Sequence, residues 1–253
     1  MSKLNTLGRV FFGIGIVGIG GLHFFYPGIR PIIIPGLSAA SPTLSILGHL
    51  IGILLIVIGV LISAGIKYGT PSLLVGIAFL ILGVSIHLPA FVNSHRPFWV
   101  NLNKAFALSG GFLLVSTLYA PILRPKILIA FSKVTVIAKY LFAIMLFDFG
   151  IGHLLASAAI GGLVPKYIPF PQFWAFLGGI ALTGSAISIF SNIWTKKVMI
   201  LLSAVLFTWL ILLHLYHTIQ HPNWQEGENF IGTFTCLSFC GIALLISQQR
   251  KTT

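Results

Sequence analysis

Acidic residues are nearly missing from this chain: Asp148, Glu226 and Glu228 are the only three among 253 residues. Charged residues of both signs make up 7% against 57% hydrophobic, whereas a soluble domain carries roughly 25% charged. So few charges cannot clothe a water-facing surface, and lipid must cover most of the exterior. The shortage of acids also removes reaction classes. Two of the three sit in one short loop, so two-carboxylate hydrolysis has no residues to run on. There is no Gly-rich phosphate loop and no GxSxG motif. Cysteine is confined to Cys236 and Cys240 in the last apolar run. Their spacing suits neither a CxxC redox motif nor an unstrained disulfide. They read as small packing residues and leave the compartment open. No zinc-type cysteine spacing occurs.

What the chain does have is base and grease. The net charge is +12, but Lys and Arg stand singly between apolar runs and form no stripe on a polar helix. That argues against nucleic acid as a partner and for the lysines and arginines that orient membrane proteins. Lys3 and Arg9 precede an apolar run that leads into His23-Phe24-Phe25-Tyr26-Pro27. No small-residue cleavage site follows, so the run reads as a retained helix and not a signal peptide.

A crossing needs about 20 mostly apolar residues. Eight segments meet or approach this: 10–26, 44–66, 72–92, 105–123, 140–160, 173–193, 198–216 and 230–247. Turn-forming and basic residues separate them. One side collects Lys3, Arg9, Lys67, Arg124, Lys126, Lys133, Lys139, Lys196, Lys197, Arg250 and Lys251. The other has Arg30, Arg96, Lys104 and Lys166. The richer side is expected to be cytoplasmic, with both termini there. The expected domains are a four-helix unit at 1–124, a basic linker at 125–139 lying on the inner surface, and a second four-helix unit at 140–253.

The two units resemble each other in order. Gly20-Gly21-Leu22-His23 recurs as Gly150-Ile151-Gly152-His153, Pro31 to Pro35 as Pro165 to Pro169, His87-Leu88 as His214-Leu215, and Gly110-Gly111 as Cys240-Gly241. Four crossings return the chain to its starting side, so the halves share one topology. The expected fold is all-α: a polytopic membrane protein of eight transmembrane helices, built as two parallel-repeat four-helix bundles side by side. Repeated glycines such as Gly13, Gly52, Gly59 and Gly179 let helices approach closely.

All eight histidines map to the outer half. His23, His87, His153 and His214 are candidate liners of a polar site, with Asp148 and Lys104 as proton or anion partners. Asp148 is the only acid inside a span. A charge there is costly, so it must face the interior and find a partner on another helix, because His153 lies 140° around its own. His214, His217 and His221 fall on one face of an ideal helix and are a candidate metal set. An interfacial role without a ligand accounts for the same histidines. Pro89 is expected to kink the third span. Trp99, Trp174 and Trp224 read as an aromatic belt.

His95 to Gly111 (HRPFWVNLNKAFALSGG) resembles the third-to-fourth helix signature of the DoxX family. Val164 to Gly179 (VPKYIPFPQFWAFLGG) resembles that family's first-to-second helix connection. The resemblance covers both halves. It implies a bacterial cytoplasmic (inner) membrane location and, for some members, work in membrane redox systems with quinone. The second half departs from the pattern: Glu226-Gly227-Glu228-Asn229 stands where the first has Asn103-Lys104. Three functions follow. One is an accessory component of a quinone-linked redox system, with quinone, haem or a metal ion as cofactor and a redox subunit as partner. The others are a small-solute or proton-coupled transporter and a non-catalytic assembly protein.

Overall fold

The computed structural model describes residues 2–35, 37, 41–94, 98–118 and 133–249. His95, Arg96, Arg124, Lys126 and most of the expected linker lie outside these. Among the described residues there are helices and no strand.

Helix α1 is Lys3–Phe25, started by Ser2, whose side chain accepts from the Asn5 amide. Helix α2, Pro42–Ala64, has proline in its first turn and stops at Gly65, φ 79°, a left-handed terminus that suits glycine. Helix α3, Gly69–Leu82, widens into a π turn at Gly83–His87 and continues as α4, Leu88–Ser94. Pro89 explains the widening. A proline ring collides with the carbonyl four residues back in a regular helix, and here Leu88 N–H reaches back five residues to Gly83 O. The expected kink is therefore taken up as a π turn. Helix α5 is Phe98–Thr117. A 3-10 turn at Lys133–Ile137 enters α6, Ala138–Leu155, followed by short α7, Ser157–Gly161, and α8, Pro171–Ser191. Helix α9, Thr195–Trp209, passes through a second π turn, Leu210–Leu215, into α10, Tyr216–Gln220. Helix α11 is Glu228–Ser247.

Seven helical stretches among the described residues are long and apolar enough to cross a membrane: Lys3–Phe25, Pro42–Ala64, Gly69–Val92, Lys133–Leu155, Pro171–Ser191, Thr195–Gln220 and Trp224–Ser247. This is the helix content of an integral membrane protein. The fourth expected crossing is not among the seven. Helix α5 begins seven residues before the expected 105 and takes in Asn101, Asn103 and Lys104. It can carry them because it is sheathed by protein: nearly every residue from Leu102 to Ser116 is buried. Lys104, expected in an outer loop, is thus inside a helix and only 9% exposed.

Packing explains the sheath. Helix α1 lies against α2, and α6 against α8; α3 lies against α5, and α9 against α11. The first helix of each half packs on the fourth helix of the other, α1 on α11 and α6 on α5, and α5 touches α11 at the centre. The halves therefore interlock and do not stand as two separate bundles. Helices α2 and α8 carry the bare apolar surface, with Leu50, Ile53, Leu54 and Val57 on one and Phe173, Phe176 and Ile180 on the other. These faces suit lipid tails.

The interlock depends on missing side chains. A Cβ at Gly241 in α11 would sit 2.5 Å from Gly8 O in α1. Gly241→Val should lower thermal stability in detergent by about 1–3 kcal/mol, the usual cost of overpacking. Gly184→Ala on α8, with nothing within 4 Å of the added carbon, should leave it equal or higher.

Candidate functional site

The polar residues collect at the end of the bundle where α1 stops and α11 starts. Lys104, two turns into α5, extends its ammonium to Glu228, the first residue of α11, at 2.5 Å. Its neighbour Asn103 points the other way and donates to Asp148 of α6 at 2.8 Å. Adjacent residues on α5 thus tie it to the first helix of its partner unit and to the central helix beside it. Asp148 has the partner on another helix that its position demands. The His214 ring lies against Gly232 of α11, in the field of Lys104 and His217.

Two other histidines do a different job. His23 and His87 are both 0% exposed. The His23 Nδ1–H donates to Ile19 O at 3.1 Å, leaving Nε2 to accept from the Arg30 amide at 3.5 Å. His87 Nε2–H donates to Ile33 O at 3.0 Å. Together they pin the connector after α1. Each bond fits a neutral imidazole. In the second half His217 donates to Leu163 O at 2.7 Å, and the partners are 54 residues apart, as for His87 and Ile33. So His217, and not the His214 suggested by sequence order, repeats the role of His87. His153 donates to Phe149 O four residues back, as His23 does to Ile19.

Arg30, 3% exposed, clasps the two outer connectors. It donates to Glu226 O at 2.7 Å and Pro27 O at 2.9 Å, and its guanidinium lies 3.7 Å from the Glu226 carboxylate. Burial lowers its pKa from the ordinary value, while Glu226 and Glu228 oppose that shift. Tyr26 OH donates to Pro222 O at 3.0 Å across the same junction. At the opposite end Arg9 donates to the carbonyls of Ile62 and Ser63, closing the end of α2, and Lys139 reaches Asn192 at the end of α8. Both Arg9 with Ile62 and Lys139 with Asn192 span 53 residues.

Of the six expected site residues, Lys104, Asp148 and His214 come to the centre. His23 and His87 serve the connector, and His153 bonds within its own helix. The shared face expected for His214, His217 and His221 supposes one regular helix, whereas His214 lies in the π turn Leu210–Leu215 and His221 stands past the end of α10. His217 turns to Leu163, and the carbonyl of His221 is held by Asn229. Among the described residues no three His, Cys, Asp or Glu side chains are grouped to hold a metal ion. A shallow groove is lined by Ser157, Phe170, Gln172 and Phe176, none of them an expected site residue.

Comparison with protein-family models, with curated proteins and with solved structures finds no match. The site therefore has to be read from its own chemistry.

Sequence reasoning missed Asn103, Glu228 and the clasp role of Arg30. Glu228 did leave a signal. It opens an apolar run at a helix start, and with three acids in the chain a buried lysine has few anions to choose from. His87→Ala and His217→Ala should each free a connector carbonyl, at a cost of about 1–3 kcal/mol for the buried Ile33 carbonyl and about 0.5–1.5 kcal/mol for the exposed Leu163 carbonyl. Hydrogen exchange should speed at the amides of Ile33 and Ile34 in the first variant and of Leu163 and Val164 in the second, each leaving the other connector unchanged.

Proposed function

We propose that the protein is a multi-pass protein of the bacterial cytoplasmic membrane that moves protons together with a small solute. Its working site is the cluster of Lys104, Glu228 and His214, flanked by Asn103 and Asp148. In this reading α5 is the eighth crossing, the chain is two tandem four-helix units related by a pseudo-two-fold, and both termini are cytoplasmic. The duplication is supported by bonds that recur 130 positions on: Arg9 to Ile62 against Lys139 to Asn192, His23 to Ile19 against His153 to Phe149, and His87 to Ile33 against His217 to Leu163. The likeness to DoxX proteins remains a motif-level proposal in keeping with this arrangement.

The observation that carries the reading is the ion pair of Lys104 and Glu228 on the two central helices. Ionisable groups inside a membrane bundle are expensive and mark ion or proton pathways by default. A pair holding one helix from each unit is also placed where rocking of the units would make and break it. The repeat makes one site per chain. On the 130-residue offset of these bonds it is position 234, and not the Glu226–Asn229 stretch expected from sequence order, that answers to Lys104; it is a phenylalanine whose ring packs on Gly18, the counterpart of Asp148. One copy of the crossing is polar and the other is filled. The quinone-linked redox role ranks second, since it draws on the same cluster and has no further residue geometry in its favour.

Proteoliposomes enclosing a pH-sensitive dye test the reading. A proton gradient should dissipate faster with wild-type protein, and Lys104→Gln and Asp148→Asn should each slow this by at least about tenfold, as loss of a proton-transfer group does. Gly184→Ala should match wild type. Equal rates in all four proteins would reject proton movement through this cluster.

A further inference from the structure

We infer that Glu228 is a tethered stand-in for a small carboxylate monoanion, and that this anion is the solute taken at Lys104. The inference rests on the proposed function and names its substrate class.

The cation is fixed and the anion is not. Lys104 stands within α5, walled by protein and 9% exposed. Its ammonium has three donors and must have an acceptor in this setting. Glu228 supplies one at 2.5 Å, but from a precarious position. It is the first residue of α11, and the three residues before it, Gln225, Glu226 and Gly227, have φ of 44°, 53° and 87°. Two of these carry side chains that rarely adopt such angles. The carboxylate therefore sits at the end of a strained strap, on the first residue of its helix. The strap is held elsewhere by donation to main-chain carbonyls, from Arg30 to Glu226 O and from Tyr26 to Pro222 O, contacts that survive a change of side-chain partner.

Charge balance sets the ligand class. When one carboxylate leaves the ammonium, one negative charge has to replace it, since an uncompensated buried cation is costly. A dianion would overshoot, and a neutral solute would leave the lysine bare. With Phe234 filling the counterpart position, one anion binds per chain.

Equilibrium binding of radiolabelled L-lactate to the full-length protein in detergent, with sodium chloride at matched ionic strength as the blank, tests this. Wild type should bind about one lactate per chain saturably, with a melting temperature raised by about 2–4 °C at saturation. Glu228→Gln removes the internal competitor and should bind about tenfold tighter or more, because the competent site is no longer masked. Lys104→Gln should abolish binding, and Lys104→Arg, which keeps the charge, should retain part of it and serves as the folding control. Absence of saturable binding in both wild type and Glu228→Gln, or equal binding in Lys104→Gln, overturns the inference. If proton flux needs Lys104 while no protein binds lactate, this inference falls and the proton pathway stands. If lactate binding needs Lys104 while flux does not, the anion site stands and the proton coupling falls.

Discussion

A lysine ammonium inside a bundle of apolar helices must be given a negative partner and a coat of protein, because a bare charge at that depth costs about 2.5–3.5 kcal/mol even on insertion scales. Lys104 receives both. Glu228 is the partner. The coat is the ring of α3, α6 and α11 around α5. Much of the architecture follows from that need. A helix bearing Asn101, Asn103 and Lys104 cannot face lipid and so occupies the centre. Its counterpart α11 stands beside it, and the first helices cross between units to cover both. Glycine permits the crossing, since the backbones of Gly8 and Gly241 approach too closely for a side chain at either.

Helix positions were largely legible in the sequence, because hydropathy reports length of contact with lipid and α2, α8 and α9 are mostly bare to it. Helix α5 was misplaced by seven residues for the same reason. Hydropathy cannot see a helix whose neighbours, and not lipid, surround it. The site was half legible. The cost of a buried acid announced that Asp148 needed a partner, but the identity of that partner, Asn103, depends on how α6 crosses α5. Glu228 looked like a loop acid because its helix starts at that residue. The histidines misled most. Their common level suggests a cluster, yet His87 and His217 are spent on connector carbonyls and His23 accepts from the connector amide of Arg30, a use that depends on loop paths no periodicity encodes. The π turn at Leu210–Leu215, which no proline signals, also shifts the rotational register of His214.

In the proposed duplication, repetition and asymmetry work together. Recurring bonds at both membrane-facing ends hold the two units to one geometry, while the residues at the central crossing diverge: Asn103, Lys104 and Asp148 on one side, Thr233, Phe234 and Gly18 on the other. Structural bonds that close helix ends and pin connectors are needed in both copies. A charged site is needed once, and a second would add desolvation cost without a second partner, since the chain holds only three acids. The scarcity of acids noted at the outset thus limits the number of sites.

A double-mutant cycle on Lys104 and Glu228 tests the central claim most directly, read as unfolding free energy in detergent. With the pair as described, Lys104→Met and Glu228→Met should each destabilise by about 2–4 kcal/mol, somewhat below the figure for a fully buried pair because the Glu228 side chain is 21% exposed. The double variant should then recover to within about 1 kcal/mol of wild type, as apolar replacement of both partners does. Single effects that add to within about 0.5 kcal/mol in the double variant would mean that the two charges do not interact, and the central pairing would be wrong.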